Sequence, residues 1–79
     1  MPTLPADEDY AKSILAIFQA KRVRPGQTLR ASQVEAEFVA NHMGAQSDCE
    51  AGLRYAIHRR WLRLDLNMIR LTDAGLDEA

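Results

Sequence analysis

Apolar positions recur with a helical period from Asp9 to about Arg22. Tyr10, Ile14, Ile17 and Phe18 fill one arc, with Ala11 and Leu15 on its flank, while Lys12, Ser13, Ala16 and Gln19 fill the other. The pattern predicts an amphipathic helix, ended by Val23-Arg24-Pro25-Gly26 because proline cannot continue the ladder and Pro-Gly favours a turn. Thr28-Leu29-Arg30 reads as a short extended link with Leu29 toward the core. A second helix is expected from about Ala31 to Met43, burying Val34, Phe38 and Val39. Ser32-x-x-Glu35 resembles a capping box at its start, where Arg30 would be a poor cap, and Gly44 is the expected left-handed stop. Ser47-Asp48-Cys49-Glu50 is a better capping box and opens a third helix running to about Arg59 or Arg60.

On that third helix Cys49, Leu53, Ala56 and Ile57 share one side, and Ser47, Ala51, Arg54, Tyr55, His58 and Arg59 share the other. From Trp61 to Leu71 the period changes to two, with Leu62, Leu64, Ile69 and Leu71 on one side and Arg63 and Arg70 on the other. This is a hairpin with one wet face, and two registers fit it. A loop over Asp65–Met68 pairs Arg63 with Arg70, whereas a turn at Asn67-Met68 pairs Asp65 with Arg70. Thr72-Asp73 can cap a last turn before Gly75, Leu76 and an acidic end. The fold class expected is α+β, mostly α: three helices and a short C-terminal β-hairpin. The domain spans 9–76, between a flexible tail at 1–8 and an acidic tail at 77–79.

With 79 residues the chain has room for one core. Its net charge of −1 argues against a polyanion partner until the distribution is considered. Asp7, Glu8 and Asp9 sit at one end, and Asp73, Asp77 and Glu78 at the other. Residues 10–72 hold all ten Lys and Arg but only five acids, a body of +5. The local field decides which partners are attracted, although acids before a helix also have a plain dipole explanation. No apolar run approaches the ~18 residues that span a bilayer, so no membrane partner is expected. The N-terminus carries no signal-peptide pattern, and Cys49 has no partner for an internal disulfide. A cytoplasmic location follows as the expectation.

The order helix, helix, turn, helix, hairpin is that of a winged helix. Ala40-x-x-x-Gly44, with Val39, Met43 and Ala45 apolar and Ser47 and Leu53 following, resembles a helix-turn-helix signature. Trp61-Leu62, followed after the hairpin by Leu71-Thr72-Asp73-Ala74-Gly75, is similar to the wing of MarR- and PadR-like regulators. The likeness spans roughly residues 10–76. It departs at Glu50, where an apolar residue is usual, at Arg60, where a glycine often precedes the tryptophan, and at a wing tip without a basic residue. The resemblance implies a winged helix-turn-helix domain that binds duplex DNA in transcription regulation, with the third helix in the major groove.

Under that reading Arg54 and Arg59 would pair with guanine edges and Tyr55 and His58 would reach bases or phosphates. Ala51 would approach a thymine methyl, with Ser47 on the same side. Arg63 and Arg70 would take phosphates, as would Arg30 near the start of the second helix. The bland alternative is an ordinary solvated face. Lys21, Arg22 and Arg24 form a basic run that suits either phosphate or a helix end. Trp61 is expected in the core, and Cys49 as a small buried residue. His42, His58 and Cys49 lack metal-site spacing, and Ser47 serves better as a cap than in a triad with His58 and Asp48. No enzyme activity, metal or cofactor is expected. A homodimer is expected for a domain this small, through the Ala16 and Ala20 side of the first helix or the acidic end. The competing functions are a protein-interaction module on the same scaffold and an RNA binder.

Overall fold

The computed structural model describes residues 6–78. Its elements are α1 (Asp7–Ala20), β1 (Thr28–Arg30), α2 (Ala31–Ala40), α3 (Gln46–His58), β2 (Leu62–Asp65), β3 (Met68–Leu71) and α4 (Asp73–Glu78). The architecture is α+β and mostly helical, with a three-stranded antiparallel sheet in the order β1-β3-β2. α1 starts before the expected boundary, so Asp7 and Glu8 are helical. Residues 1–5 of the expected tail lie outside the described residues. α4 takes in Asp77 and Glu78, which were expected in an acidic tail.

Two helix starts use the same device, and it is not the expected one. The N-caps of α1 and α3 are Ala6 and Ala45, which have no capping side chain. Instead the carboxylates of Asp9 and Asp48, three residues on, accept the Ala6 and Ala45 N–H at 3.0 and 2.9 Å. Only the returning half of a capping box is present. Ser47 is therefore inside the first turn of α3, not its cap. Ser32 does not cap α2 either: Arg30 stands at the N-cap, and the Ala31 N–H donates to the Asn67 carbonyl at 2.8 Å. The hairpin turn thus satisfies one of the amides a helix start leaves open.

All three long helices end in a Schellman motif with a non-glycine in the left-handed position. Arg22, His42 and Arg60 have φ of 56°, 58° and 63°. Val23, Met43 and Trp61 N–H groups reach back to the Phe18, Phe38 and Ala56 carbonyls at 3.0, 3.1 and 2.8 Å. α2 therefore stops at Ala40, and His42 takes the left-handed role expected of Gly44.

The core gathers Ala11, Ile14, Leu15, Ile17 and Phe18 of α1, Val34 and Phe38 of α2, and Cys49 and Ala56 of α3. Trp61, Leu62, Ile69 and Leu71 complete it. Val39, expected inside, is 46% exposed because it lies on the outer side of α2. α1 and α3 form the closest helix pair. A Cβ on Gly52 would stand 2.7 Å from the Tyr10 carbonyl carbon and 2.8 Å from the Ala11 nitrogen, so only glycine fits that crossing.

The hairpin takes the first of the two registers: Leu62 faces Leu71, Arg63 faces Arg70, Leu64 faces Ile69 and Asp65 faces Met68. The turn is tighter than a four-residue loop, because only Leu66 and Asn67 lie between the strands. The Thr28–Arg30 link is a strand, pairing Thr28 with Arg70, Leu29 with Ile69 and Arg30 with Met68. Thr72 ties the sheet to α4. Its hydroxyl lies 2.6 Å from the Arg60 carbonyl and 2.8 Å from that of Trp61, and it accepts the Gly75 N–H at 3.0 Å. Gly75 sits against the Trp61 carbonyl with no room for a Cβ. The Trp-Leu…Leu-Thr-x-x-Gly spacing is therefore one packed unit.

Candidate nucleic-acid interface

The alternation of strands sorts the sheet into two faces. Leu29, Leu62, Leu64, Ile69 and Leu71 share the inner face. By the strand registers, Thr28, Arg70 and Arg63 form one row across the outer face, and Arg30, Met68 and Asp65 the next. Three arginines expected to meet phosphate therefore lie on one face, with a single acid among them. The sequence suggested each separately. Their grouping depends on β1 joining β3, a pairing some forty residues apart that no local pattern signals.

The three differ in how committed they are. Arg70 faces Arg63 across the pair, a repulsive placement, but its guanidinium is held within the chain. It donates to Asp65 Oδ2 at 3.3 Å and to the Gly26 carbonyl at 2.8 Å. The ion pair expected only of the alternative register thus forms diagonally in this one. Arg63 and Arg30 are exposed, and neither has a carboxylate partner among the described residues.

On α3 the exposed stripe is narrower than expected. Ser47, Arg54 and His58 are exposed, with half-buried Ala51 between them and Glu50 at the edge. Arg54 has no acidic partner among the described residues. Tyr55 is half-buried, and Arg59, although exposed, stands at the α3 C-cap against Trp61. The Tyr55 hydroxyl donates to Glu8 Oε1 at 3.3 Å, and its ring packs edge-on against Trp61 at 5.7 Å. The Arg59 guanidinium lies over the Trp61 ring at 5.7 Å, a cation–π contact. Both residues turn toward α1 and the helix–hairpin junction, where an aromatic face and a carboxylate compete with solvent for them. Trp61 itself is buried, 3% exposed.

Of the basic run after α1, Lys21 is bound to Glu37 at 2.9 Å, joining α1 to α2. Arg22 and Arg24 remain exposed. Cys49 is buried, and burial, followed by the nearby Glu35 and Glu50 charges, raises its thiol from 9.0 to about 11. It is protonated at neutral pH and a poor nucleophile. Among the described residues no cluster of His, Cys, Asp and Glu could hold a metal ion, and no helix is long and apolar enough to cross a membrane.

Exposed arginines without a carboxylate partner among the described residues thus lie on the outer sheet face (Arg30, Arg63), on α3 and just after it (Arg54, Arg59, Arg60) and after α1 (Arg22, Arg24). No family model, curated protein or solved structure matches the chain.

Proposed function

We propose that this chain is a winged helix-turn-helix protein that binds duplex DNA in the cytoplasm, as a small transcription regulator or accessory factor and not as an enzyme. The observation that carries the reading is that Arg30 and Arg63 on the sheet and Arg54 on α3 are among the exposed arginines without acidic partners in the described residues, a group that also includes Arg22, Arg24, Arg59 and Arg60. The element order supports it, since a reader helix followed by a hairpin whose far strand pairs with a strand before α2 is the arrangement a winged helix needs. In this reading α3 presents Ser47, Ala51, Arg54 and His58 to the major groove, while Arg30 and Arg63 bind phosphates and set the register. Tyr55 supports α3 from behind, Arg59 rests on the Trp61 ring, and Arg70, held by Asp65 and the Gly26 carbonyl, braces the sheet face instead of meeting phosphate.

Fluorescence anisotropy with a labelled random duplex at low salt tests it. Arg54→Ala and Arg30→Ala each weaken binding several-fold, whereas Lys12→Ala on the outer side of α1 leaves it unchanged. Equal affinity in all three variants refutes the assignment of the surface. A second reading, a protein-interaction module, is favoured by one observation: the hairpin tip carries Leu66, 95% exposed, where a DNA-inserting wing would carry a cation.

A further inference from the structure

β2 is an edge strand, and its free edge can be read from the hairpin register. Asp65 and Met68 close the two-residue turn, so they exchange the first hydrogen bonds, and Arg63 with Arg70 the next. The Thr72 N–H bonded to the Trp61 carbonyl at 3.2 Å continues the same alternation. The N–H and C=O of Leu62 and Leu64 therefore point away from β3, with no strand beyond them. Unpaired edges of this kind recruit other strands unless charge or shape prevents it.

Here the charges do not prevent it when the second strand is the same one. The segment Leu62-Arg63-Leu64-Asp65-Leu66 is symmetric about Leu64 in its leucines and antisymmetric in its charges. In an antiparallel pair of two copies, outward-pointing residues must oppose outward-pointing residues. Centring the pair between Leu62 and Leu64 sets Arg63 against Arg63, and centring it between Leu64 and Leu66 sets Asp65 against Asp65. Both registers are repulsive. Centring it on Leu64 sets each Arg63 against the second copy's Asp65, in the non-hydrogen-bonded position where side chains come closest. The same register brings Leu64 to Leu64 and Leu66 beside Leu62.

Two features that the isolated chain leaves unexplained fit this arrangement. Leu64 and Leu66 are 49% and 95% exposed, the larger value at a turn residue with φ of 55°, where glycine would be favoured on both backbone and solvation grounds. Arg63 faces Arg70 and has no acid of its own among the described residues, while Asp65 already holds Arg70 and has oxygens to spare for a second arginine. We propose that β2 is a self-complementary edge through which two copies of this chain form a two-fold dimer, joining their sheets into one of six strands with Arg63–Asp65 pairs across the seam. The inference does not depend on nucleic-acid binding; in the dimer Arg63 is taken up by the seam, which leaves Arg30 as the phosphate ligand of the sheet face. It replaces α1 and the acidic end as the expected dimer surface.

Sedimentation equilibrium of the wild-type chain and three variants decides it. The wild type associates to a dimer. Arg63→Asp alone and Asp65→Arg alone each raise the dissociation constant at least about tenfold, through like-charge pairs at both ends of the seam. The double variant R63D/D65R restores the wild-type constant, because every pair is again opposite, although the bond from Asp65 to Arg70 stays lost. An equimolar mixture of the two single variants also associates. If a single variant fails to fold, amide hydrogen exchange on the wild type gives the answer: the Leu62 and Leu64 N–H groups slow as concentration rises, and Arg63 does not change. A wild type that stays monomeric at millimolar concentration overturns the proposal and leaves the edge to a strand from another protein. A dimer unaffected by either single reversal, or a double variant as weak as the singles, overturns it equally.

Discussion

Gly52→Ala adds one methyl where α1 and α3 cross, and the neighbouring atoms fix its cost. The new Cβ would lie 2.7 Å from both the carbonyl carbon and the Cβ of Tyr10, and 2.8 Å from the Ala11 nitrogen. Ordinary van der Waals contact begins near 3.4 Å, so the helices must separate by several tenths of an ångström. Two of the three atoms are backbone and cannot rotate aside. A gap of about 0.5–1 Å forfeits a quarter to a half of each dispersion contact along the interface, and overpacking of this kind costs about 1–3 kcal/mol. Alanine returns about 1 kcal/mol in helix propensity. Taking the upper half of the overpacking range, the net loss is about 1–2 kcal/mol. For a domain of this size each kcal/mol lowers Tm by roughly 4–8 °C. Urea unfolding followed by Trp61 fluorescence and helical circular dichroism measures it, with the midpoint lowered and the slope unchanged. Stability equal to or above that of the wild type would mean that α1 and α3 do not cross at Gly52, and the core arrangement would fall with it.

Other consequences follow from single contacts. Thr72→Val removes the hydroxyl that joins the Arg60 and Trp61 carbonyls to the Gly75 N–H; chemical denaturation should show a loss of about 1–2 kcal/mol, the usual range for a lost cap and an unpaired polar group. Leu66→Gly relieves a positive-φ leucine at the turn; it should raise the stability of the monomer by about 0.5 kcal/mol, the left-handed penalty less the entropy of glycine, and a lower midpoint in dilute thermal melts would refute the turn geometry. The Cys49 thiol keeps its proton longer in the folded state, about 11 against 9.0. Its contribution is intact below pH 9 and fades as pH rises toward 11, by up to about 3 kcal/mol. Denaturation midpoints should fall across that window, and less steeply in Cys49→Ala. Tyr10, raised by burial and by Asp48, adds to the slope with the same sign.

What could be read from the sequence was mostly local. The arc of α1 is visible because Ile14, Ile17 and Phe18 repeat within one helix, and the hairpin because four leucine or isoleucine positions alternate over ten residues; its register is not, because pairings two residues apart keep the same alternation. β1 is not legible as a strand because three residues carry no periodicity and its partner is distant in sequence. The helix ends differ from the expected ones for a chemical reason. Cap rules look for Ser or Thr at the start and Gly at the end, whereas this chain uses Asp9 and Asp48 from the third position and puts Arg22, His42 and Arg60 in left-handed geometry. At the candidate interface, Arg54 and His58 are where helical phase puts them. Tyr55 and Arg59 are drawn off by Glu8 and by the Trp61 ring, a combination that becomes visible only when α1, α3 and the hairpin meet.

In the proposed complex, unpaired arginines on the sheet face and on α3 neutralise phosphates. The direct measurement is the affinity of the wild-type chain for duplex DNA as a function of salt. Each neutralised phosphate contributes about −0.9 to the slope of log affinity against log salt, so contacts by Arg30, Arg54 and Arg63 predict a slope of about −3 for a monomer, and contacts by Arg30 and Arg54 about −2 per chain in a dimer whose seam pairs Arg63 with Asp65. No binding at low salt, or binding that ignores salt, would contradict the account.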